Sequence, residues 1–448
     1  MRIIISGDGD VVFYLAKNLA EEYHDITVID ENEEHLDYIS NHIDVATIKG
    51  SSTSLLILKE LGLEKVDMFC AVSRSQDKNL LTASLAKGLG AKKCIARITD
   101  PTFLYRRDVF DLQKLGIDEI ISTETLASKE IRRLLRETAI TDTFEFAAGK
   151  LSLIGIHLTG SETIIGKTLA DAARHNAELN YLTVAILRGD QTIIPRGDTM
   201  FEAGDHVYYI TQPNGLKKIL KTTGKTSDRV KTIMILGGGD IGLSTALALQ
   251  KKYRVIIVEI DRKKSFELAD LLKNALVING DGRDVELLEE EGISEVDAFI
   301  AVTGNSETNI IASLVAKSHN VPKTIALVEN MDFIHLSQNI GIDTLINKKL
   351  IAANFISRYV RKGRVSNLAS LPGVDVEVVE YVVHSKSKIL KSKLMDLHFP
   401  IDAIVGGVIR GKQAFTPNGE FVFHVGDRVI VTFRRGATNI SQVDSFFE

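Results

Sequence analysis

Residues 232–245 read TIMILGGGDIGLST, an apolar run that breaks into glycines and resumes at helical spacing. Residues 1–15, MRIIISGDGDVVFYL, say the same thing again. An offset of 230 pairs Gly7 with Gly237, Gly9 with Gly239, Asp10 with Asp240, Gly50 with Gly280, Phe69 with Phe299 and Asn79 with Asn309. One chain therefore carries the same unit twice. That points to paired ligand sites; an enzyme usually needs one such unit and a separate catalytic domain.

In a dinucleotide-binding βαβ unit the first glycine makes the tight turn. The second lets the pyrophosphate approach the backbone at the helix N-terminus, and the third lets helix and strand pack closely. Gly237, Gly239 and Gly242 supply all three, with Gly238, Asp240 and Ile241 between them. In the first copy Gly7, Asp8, Gly9, Asp10 and Val11 form the turn, but Val12 takes the third glycine's place. Such a pattern alone is weak. Its context strengthens it: Asp30 and Glu259 follow Gly7 and Gly237 by 23 and 22 residues and end the second strand of each unit. A carboxylate there takes the ribose hydroxyls and repels a 2′-phosphate. The competing reading of each unit is a doubly wound domain that binds no nucleotide.

Two features set the first copy apart. Asp8 and Asp10 place like charge beside a pyrophosphate unless they turn to solvent. Val12 adds bulk where helix and strand meet, so the first loop is expected to be displaced. Against this, Arg97 offers phosphate a planar fork, whereas its counterpart is Leu327. The competing reading of Arg97 is a surface or inter-domain ion pair.

Outward from the turns, apolar strands such as IIIS, ITVID, VATIKG, MFCAV and KCIARI alternate with helical stretches of about 10 to 14 residues. TIMIL, VIIVE, ALVING, DAFIAVT and KTIALVE repeat that order. Alternation of this kind means a parallel sheet with helices on both faces. A second repeat joins residues 151–210 to 374–433; at an offset of 222 Arg188 matches Arg410, Pro195 matches Pro417, and Gly204-Asp205-x-Val207 matches Gly426-Asp427-x-Val429. Runs such as HVYYIT argue for short antiparallel strands around one helix. These modules are small enough that they are expected to pack on a neighbour or dimerise. The polar stretch TQPNGLKKILKTTGKTSDRV reads as a solvated linker.

The fold expected is α/β: two Rossmann-like, doubly wound parallel sheets, each followed by a small α+β lobe. The boundaries read as 1–135, 140–222, 229–362 and 368–448. A chain of 448 residues has room for these cores. With 44% hydrophobic and 25% charged residues it has the composition of an ordinary globular protein. Its net charge of −5 provides no basic field for nucleic acid. No apolar run reaches the roughly 18 residues of a membrane span, and no signal peptide is visible. Cys70 and Cys94 lie in apolar strands and read as reduced core thiols of a cytosolic protein. The histidines form no metal-like pair, and neither a nucleophile elbow nor a P-loop is present, so no catalytic or metal residue is assigned.

The order of two glycine-rich units, each trailed by a lobe ending in Gly-Asp-x-Val, resembles the TrkA family, peripheral regulators of bacterial and archaeal Trk-type potassium uptake. Its domains are called RCK or KTN, each with an N-lobe and a C-lobe. The features that carry the resemblance are SGDGDVV with Asp30, IKGSS, FCAVS with Asn79, CIARI, IIGKTLADA and LRGDQTIIPRGDTMFEAGDHVY, with their second copies. It implies a non-enzymatic subunit that assembles as a gating ring, a tetramer or dimer of dimers, on a TrkH-like membrane potassium transporter subunit. Its place would be cytoplasmic, peripheral on the inner face of the membrane. Binding of NAD or NADH, or of ATP or ADP, to the N-lobes would change ion flux. Carried onto this chain, the ligand loop is Gly7 to Val11, the ribose acid Asp30, the base-edge loop Gly50-Ser51, the loop after strand four Ser73, and the phosphate arginine Arg97. In the second copy they are Gly237 to Gly242, Glu259, Gly280-Asp281 and Thr303. Two alternatives remain open from the residues: a nucleotide sensor of a different channel or antiporter, and a NAD-dependent dehydrogenase.

Overall fold

The computed structural model describes the chain apart from residues 21–23, 101, 107, 136–139, 148, 161, 175–179, 225–229, 331–340, 361–364, 372–373 and 436–441. Two compact units result: residues 1–127 with 348–360, and residues 128–347 with 361–448.

In the first unit β1 (Arg2–Ser6), β2 (Asp25–Asp30), β3 (Ala46–Lys49), β4 (Met68–Ala71), β5 (Cys94–Arg97) and β6 (Glu119–Ile121) form one parallel sheet, ordered β3-β2-β1-β4-β5-β6. Ile3, Ile4 and Ile5 are fully buried because their alternate sides face two different helical layers. Ile3 and Ile5 join Leu15 and Leu19 of the helix Asp10–Ala20. Ile4 joins Ala83 and Ala86 of the helix Gln76–Gly88, which Ser75 caps by accepting from the Lys78 N–H. Burial on both faces is why the strand reads as continuous isoleucine instead of alternating. The sixth strand, three residues long, is too short to leave a periodic signal.

The helix Lys348–Val360 belongs to this first unit although it follows the second sheet in the chain. Its Ala352, Ala353 and Ile356 enter the core that holds Val12, Leu15 and Leu19. Asn354 Oδ1 accepts from Asn18 Nδ2 at 3.3 Å.

The second unit repeats the sheet with β12 (Thr232–Leu236), β13 (Arg254–Glu259), β14 (Ala275–Asn279), β15 (Ala298–Ala301), β16 (Lys323–Leu327) and β17 (Thr344–Ile346), ordered β14-β13-β12-β15-β16-β17. Two five-stranded antiparallel sheets accompany it. One contains β7 (Asp142–Phe146), β8 (Leu151–His157), β9 (Tyr181–Arg188), β10 (Gln191–Ile193) and β11 (His206–Thr211), ordered β10-β9-β11-β8-β7. The other contains β18 (Val365–Ser370), β19 (Val376–Val382), β20 (Ala403–Arg410), β21 (Gln413–Phe415) and β22 (Arg428–Arg434), ordered β18-β19-β22-β20-β21. The two small sheets share a core: Val184, Leu187, Tyr208 and Ile210 pack with Val376, Val378, Ile409 and Ile430. A side chain on Gly406 would meet Ile210 at 2.4 Å, so the glycine allows this close approach. Each lobe is pinned by the same buried acid. Asp205 takes two bonds from Arg188, at 2.8 and 2.9 Å, and Asp427 takes two from Arg410, both at 2.8 Å. Both carboxylates are fully buried.

The reading of residues 211–230 as a solvated linker needs correction. Gly215–Thr223 is a helix whose Ile219 and Leu220 are buried in the first small lobe. Leu216, Ile219 and Leu220 form an apolar stripe, and the lysines between them disguise it. Residues 225–229 of that stretch lie outside the described residues. Cys70 and Cys94 are free and fully buried, and burial pushes the Cys94 thiol up to about 12.

A buried lysine ties β16 and β17 to the segment leading into β7. Lys323 Nζ donates to the Ile140 carbonyl and, at 2.9 Å, to Thr344 Oγ1, which donates to the Thr141 carbonyl at 2.9 Å. Lys323 is fully buried, and burial pulls its ammonium pKa down to about 8.

Candidate functional site

In the second unit a cleft of about 400 Å³ opens at the carboxyl ends of β12, β13, β14 and β15. This is the point where the strand order reverses, and open α/β sheets place ligands there. Gly237, Gly239, Glu259, Gly280, Asp281 and Thr303 line it. Of the remaining loop residues, Ile241 turns into the core at 5% exposure, and Gly242 is buried against the turn itself. Gly238 donates its N–H to Glu259 Oε2 at 2.7 Å, and Asp240 begins the helix Asp240–Leu249. The Glu259 carboxylate is buried and also accepts from the Asp261 N–H at 2.9 Å. It therefore clamps the glycine turn to the end of β13. Gly280 donates to the Glu259 carbonyl at 3.0 Å.

The first unit holds the matching residues on a different backbone. Gly7 and Gly9 take φ of 155° and 95°, against 100° for Gly237 and −61° for Gly239. Val12 is 1% exposed and fills core space, and its N–H bonds back three residues to Gly9. In the second unit Leu243 instead bonds back four residues to Gly239. The first turn thus follows a different backbone path from the second. Asp8 leaves the turn: it accepts from the Arg74 N–H at 2.8 Å and its side chain is 42% exposed. The side chain of Asp10 lies outside the described residues. Val11 is buried. Asp30 is buried at the end of β2, accepting from the Asn32 N–H at 3.0 Å with His35 Nδ1 at 3.3 Å. Gly50 donates to the Asp30 carbonyl at 2.8 Å, and Ser51 Oγ pairs with Thr53 at 3.0 Å.

The loop after the fourth strand is built identically in both units. Asn79 Oδ1 accepts from the Ser73 N–H and hydroxyl at 2.8 and 2.7 Å, while its Nδ2 donates to the Ser73 and Arg97 carbonyls at 2.8 and 2.9 Å. Asn309 does the same for Thr303 and Leu327. One buried amide thus joins the loop that closes the cleft to the next strand. The Arg97 guanidinium pairs with Glu124 at 3.5 Å, and both side chains are largely buried. Its Nε finds no partner among the described residues.

The TrkA-N domain model matches residues 3–123 and 233–348, and the TrkA-C domain model matches residues 156–224 and 378–439. The chain belongs to the TrkA family. The Trk system potassium uptake protein TrkA of Halomonas elongata is 30% identical over 452 residues, covering 100% of this chain and 99% of its own length. A TrkA homolog of Archaeoglobus fulgidus is 31% identical over 432 residues, covering 96% of this chain and 97% of its own. Among solved structures, the GsuK RCK domain superposes with a TM-score of 0.60 at 14% identity, covering 99% of this chain and 94% of its own. The GsuK channel bound to NAD superposes with a TM-score of 0.60 at 16% identity, covering 99% and 78%. The TrkA fold, two parallel six-stranded sheets with small antiparallel lobes, is the one described above.

Several charged residues of this TrkA-family chain escaped the sequence reading. In the second cleft these are Lys264 and Arg283, which line it. In the first unit they are Arg74 and Lys78. A side chain on Gly9 would stand 3.4 Å from Arg74, and Lys78 Nζ pairs with Glu31 at 2.8 Å. Lys78 holds the Glu31 carboxyl below its usual range. The repeat alignment carries the signal: Gly304 and Thr308 stand where Arg74 and Lys78 stand, and Thr53 where Arg283 stands. Among the described residues no cluster of metal-ligating side chains occurs, and no helix is long and apolar enough to cross a membrane.

Proposed function

We propose that this chain is a nucleotide-sensing regulatory subunit of a Trk-type potassium transporter. NAD or NADH, or ATP or ADP, binds its two large lobes. The observation that carries this reading is the second cleft. A glycine turn at a helix N-terminus faces a buried carboxylate at the switch point of a parallel sheet, in a chain whose full-length relatives are named as potassium uptake proteins. NAD in the GsuK channel, a protein of the same fold, supports the ligand class. Gly237, Gly239, Glu259, Gly280, Asp281 and Thr303 hold the ligand in the second site. Gly7, Gly9, Asp30, Gly50, Ser51, Ser73 and Arg97 hold it in the first.

The chain assembles as a ring, a tetramer or dimer of dimers, on a TrkH-like membrane subunit at the inner face of the membrane. A nucleotide shifts the ring only by its differential affinity for two conformations. Passing from mostly closed to mostly open needs roughly 10⁴-fold preference, about 5.5 kcal/mol. Several sites sharing that requirement contribute modestly each. Reconstitution of the chain with a Trk-type membrane subunit in vesicles tests the reading. Potassium flux changes with at least one of these nucleotides; a flux indifferent to all of them contradicts it.

A further inference from the structure

Two residues of the second cleft differ in kind from their first-copy counterparts. Ile260, directly after Glu259, is an isoleucine 63% exposed to solvent, and it lines the cleft. From the end of the neighbouring strand Arg283 also lines it. The guanidinium is held as a fixed plate: its Nε and Nη2 meet the two oxygens of Asp281 at 3.0 and 2.7 Å, and its own backbone N–H donates to the same carboxylate at 2.9 Å. Arg283 in turn holds the Asp281 carboxyl below the usual range. The charge of the plate is thus matched within its own loop, which leaves its flat face as what it offers a ligand. Among the described residues, none lining the cleft is aromatic.

We infer that the second cleft grips the purine base of its nucleotide between the Ile260 side chain and the Arg283 guanidinium, while the first site holds its ligand by sugar and phosphates alone. This rests on the reading of both large lobes as nucleotide-binding. An acid at the end of the second strand takes the ribose next to the adenine. The base on that ribose therefore lies beside the residue after the acid and the loop of the adjacent strand. A flat ring there covers an exposed apolar side chain and stacks on a planar cation, two gains that an aqueous base lacks. In the first copy the same places carry Glu31 and Thr53. Glu31 is engaged by Lys78 at 2.8 Å and Thr53 by Ser51 at 3.0 Å, so neither an apolar wall nor a plate is on offer.

The test is calorimetric titration of the full chain with AMP and with ribose 5-phosphate, which has the sugar and phosphate but not the base. Wild type shows a binding component that prefers AMP by about tenfold or more. Exchanging second-copy residues for first-copy ones, Ile260→Glu or Arg283→Thr, abolishes that preference and leaves ribose 5-phosphate binding unchanged. Arg283→Lys, which keeps the charge but not the plate, behaves like Arg283→Thr. Both positions are solvent-exposed, and thermal unfolding confirms that the variants fold. A preference that survives in the Ile260→Glu/Arg283→Thr double variant overturns the inference and leaves the nucleotide reading standing. Failure of wild type to bind AMP, NAD or ADP at millimolar concentration overturns both.

Discussion

A β-carbon added to Gly242 would stand 1.9 Å from the carbonyl oxygen of Gly237. The third glycine of the turn is therefore a packing requirement of the second copy. Gly242→Val, which installs the first copy's residue, is expected to abolish ligand binding at the second site and to destabilise its unit by about 3 kcal/mol or more. The reverse exchange, Val12→Gly, opens a cavity in a core that has already adapted, costing about 2–3 kcal/mol. Urea denaturation with nucleotide titration separates the two. A Gly242→Val chain that binds as wild type contradicts the assigned role of this glycine.

Asn79 and Asn309 each make four hydrogen bonds to backbone and hydroxyl groups of this loop and the next strand. Replacing either by alanine leaves buried N–H and C=O groups unpaired, at a cost of about 2–4 kcal/mol. The loop carrying Ser73 or Thr303 then loosens, and nucleotide affinity falls along with stability. Equilibrium unfolding of each variant checks the first effect, and titration checks the second.

Lys323 binds its proton more weakly in the folded chain, near pH 8, than at its ordinary value of 10.5. Between these values the unfolded chain carries more protons, so this group's contribution to stability rises with pH. The stability of wild type relative to Lys323→Met is expected to rise as pH climbs from about 8 toward 10. Thermal unfolding of the two proteins at several pH values measures it. A difference that stays flat contradicts the loss of hydration that burial imposes on this ammonium, the cause of its lowered pKa.

Selectivity for the ribose follows from the acids. Asp30 and Glu259 are both buried at strand ends, and a 2′-phosphate placed against them meets like charge. NADP is expected to bind at least about tenfold more weakly than NAD. Competition titration decides it, and equal affinity would remove the ribose role from both carboxylates.

Much of this architecture was legible in the chain because glycine turns and doubly buried strands leave strong local marks. TIMIL and IIIS announced central parallel strands, and the offset of 230 carried the topology from one copy to the other. What escaped notice had weak local signals. β6 and β17 are three residues long. The helix Gly215–Thr223 hides an apolar stripe among three lysines. That Lys348–Val360 packs on the helix Asp10–Ala20 is a contact across more than 300 residues, which no local pattern encodes. At the site, Gly237, Glu259 and Thr303 were named from sequence, but Ile260 and Arg283 were not. Their meaning lies in facing one cleft from adjacent strands, a property of the pairing of β13 with β14.

Two unequal nucleotide sites in one chain give two separable binding events. Calorimetric titration of NAD, NADH, ATP and ADP into wild type, Asp30→Ala and Glu259→Ala addresses this directly. Wild type is expected to bind at least one of the four, and the two substitutions to remove different components of the isotherm. Absence of binding at millimolar concentration, or an isotherm that neither substitution alters, would contradict it.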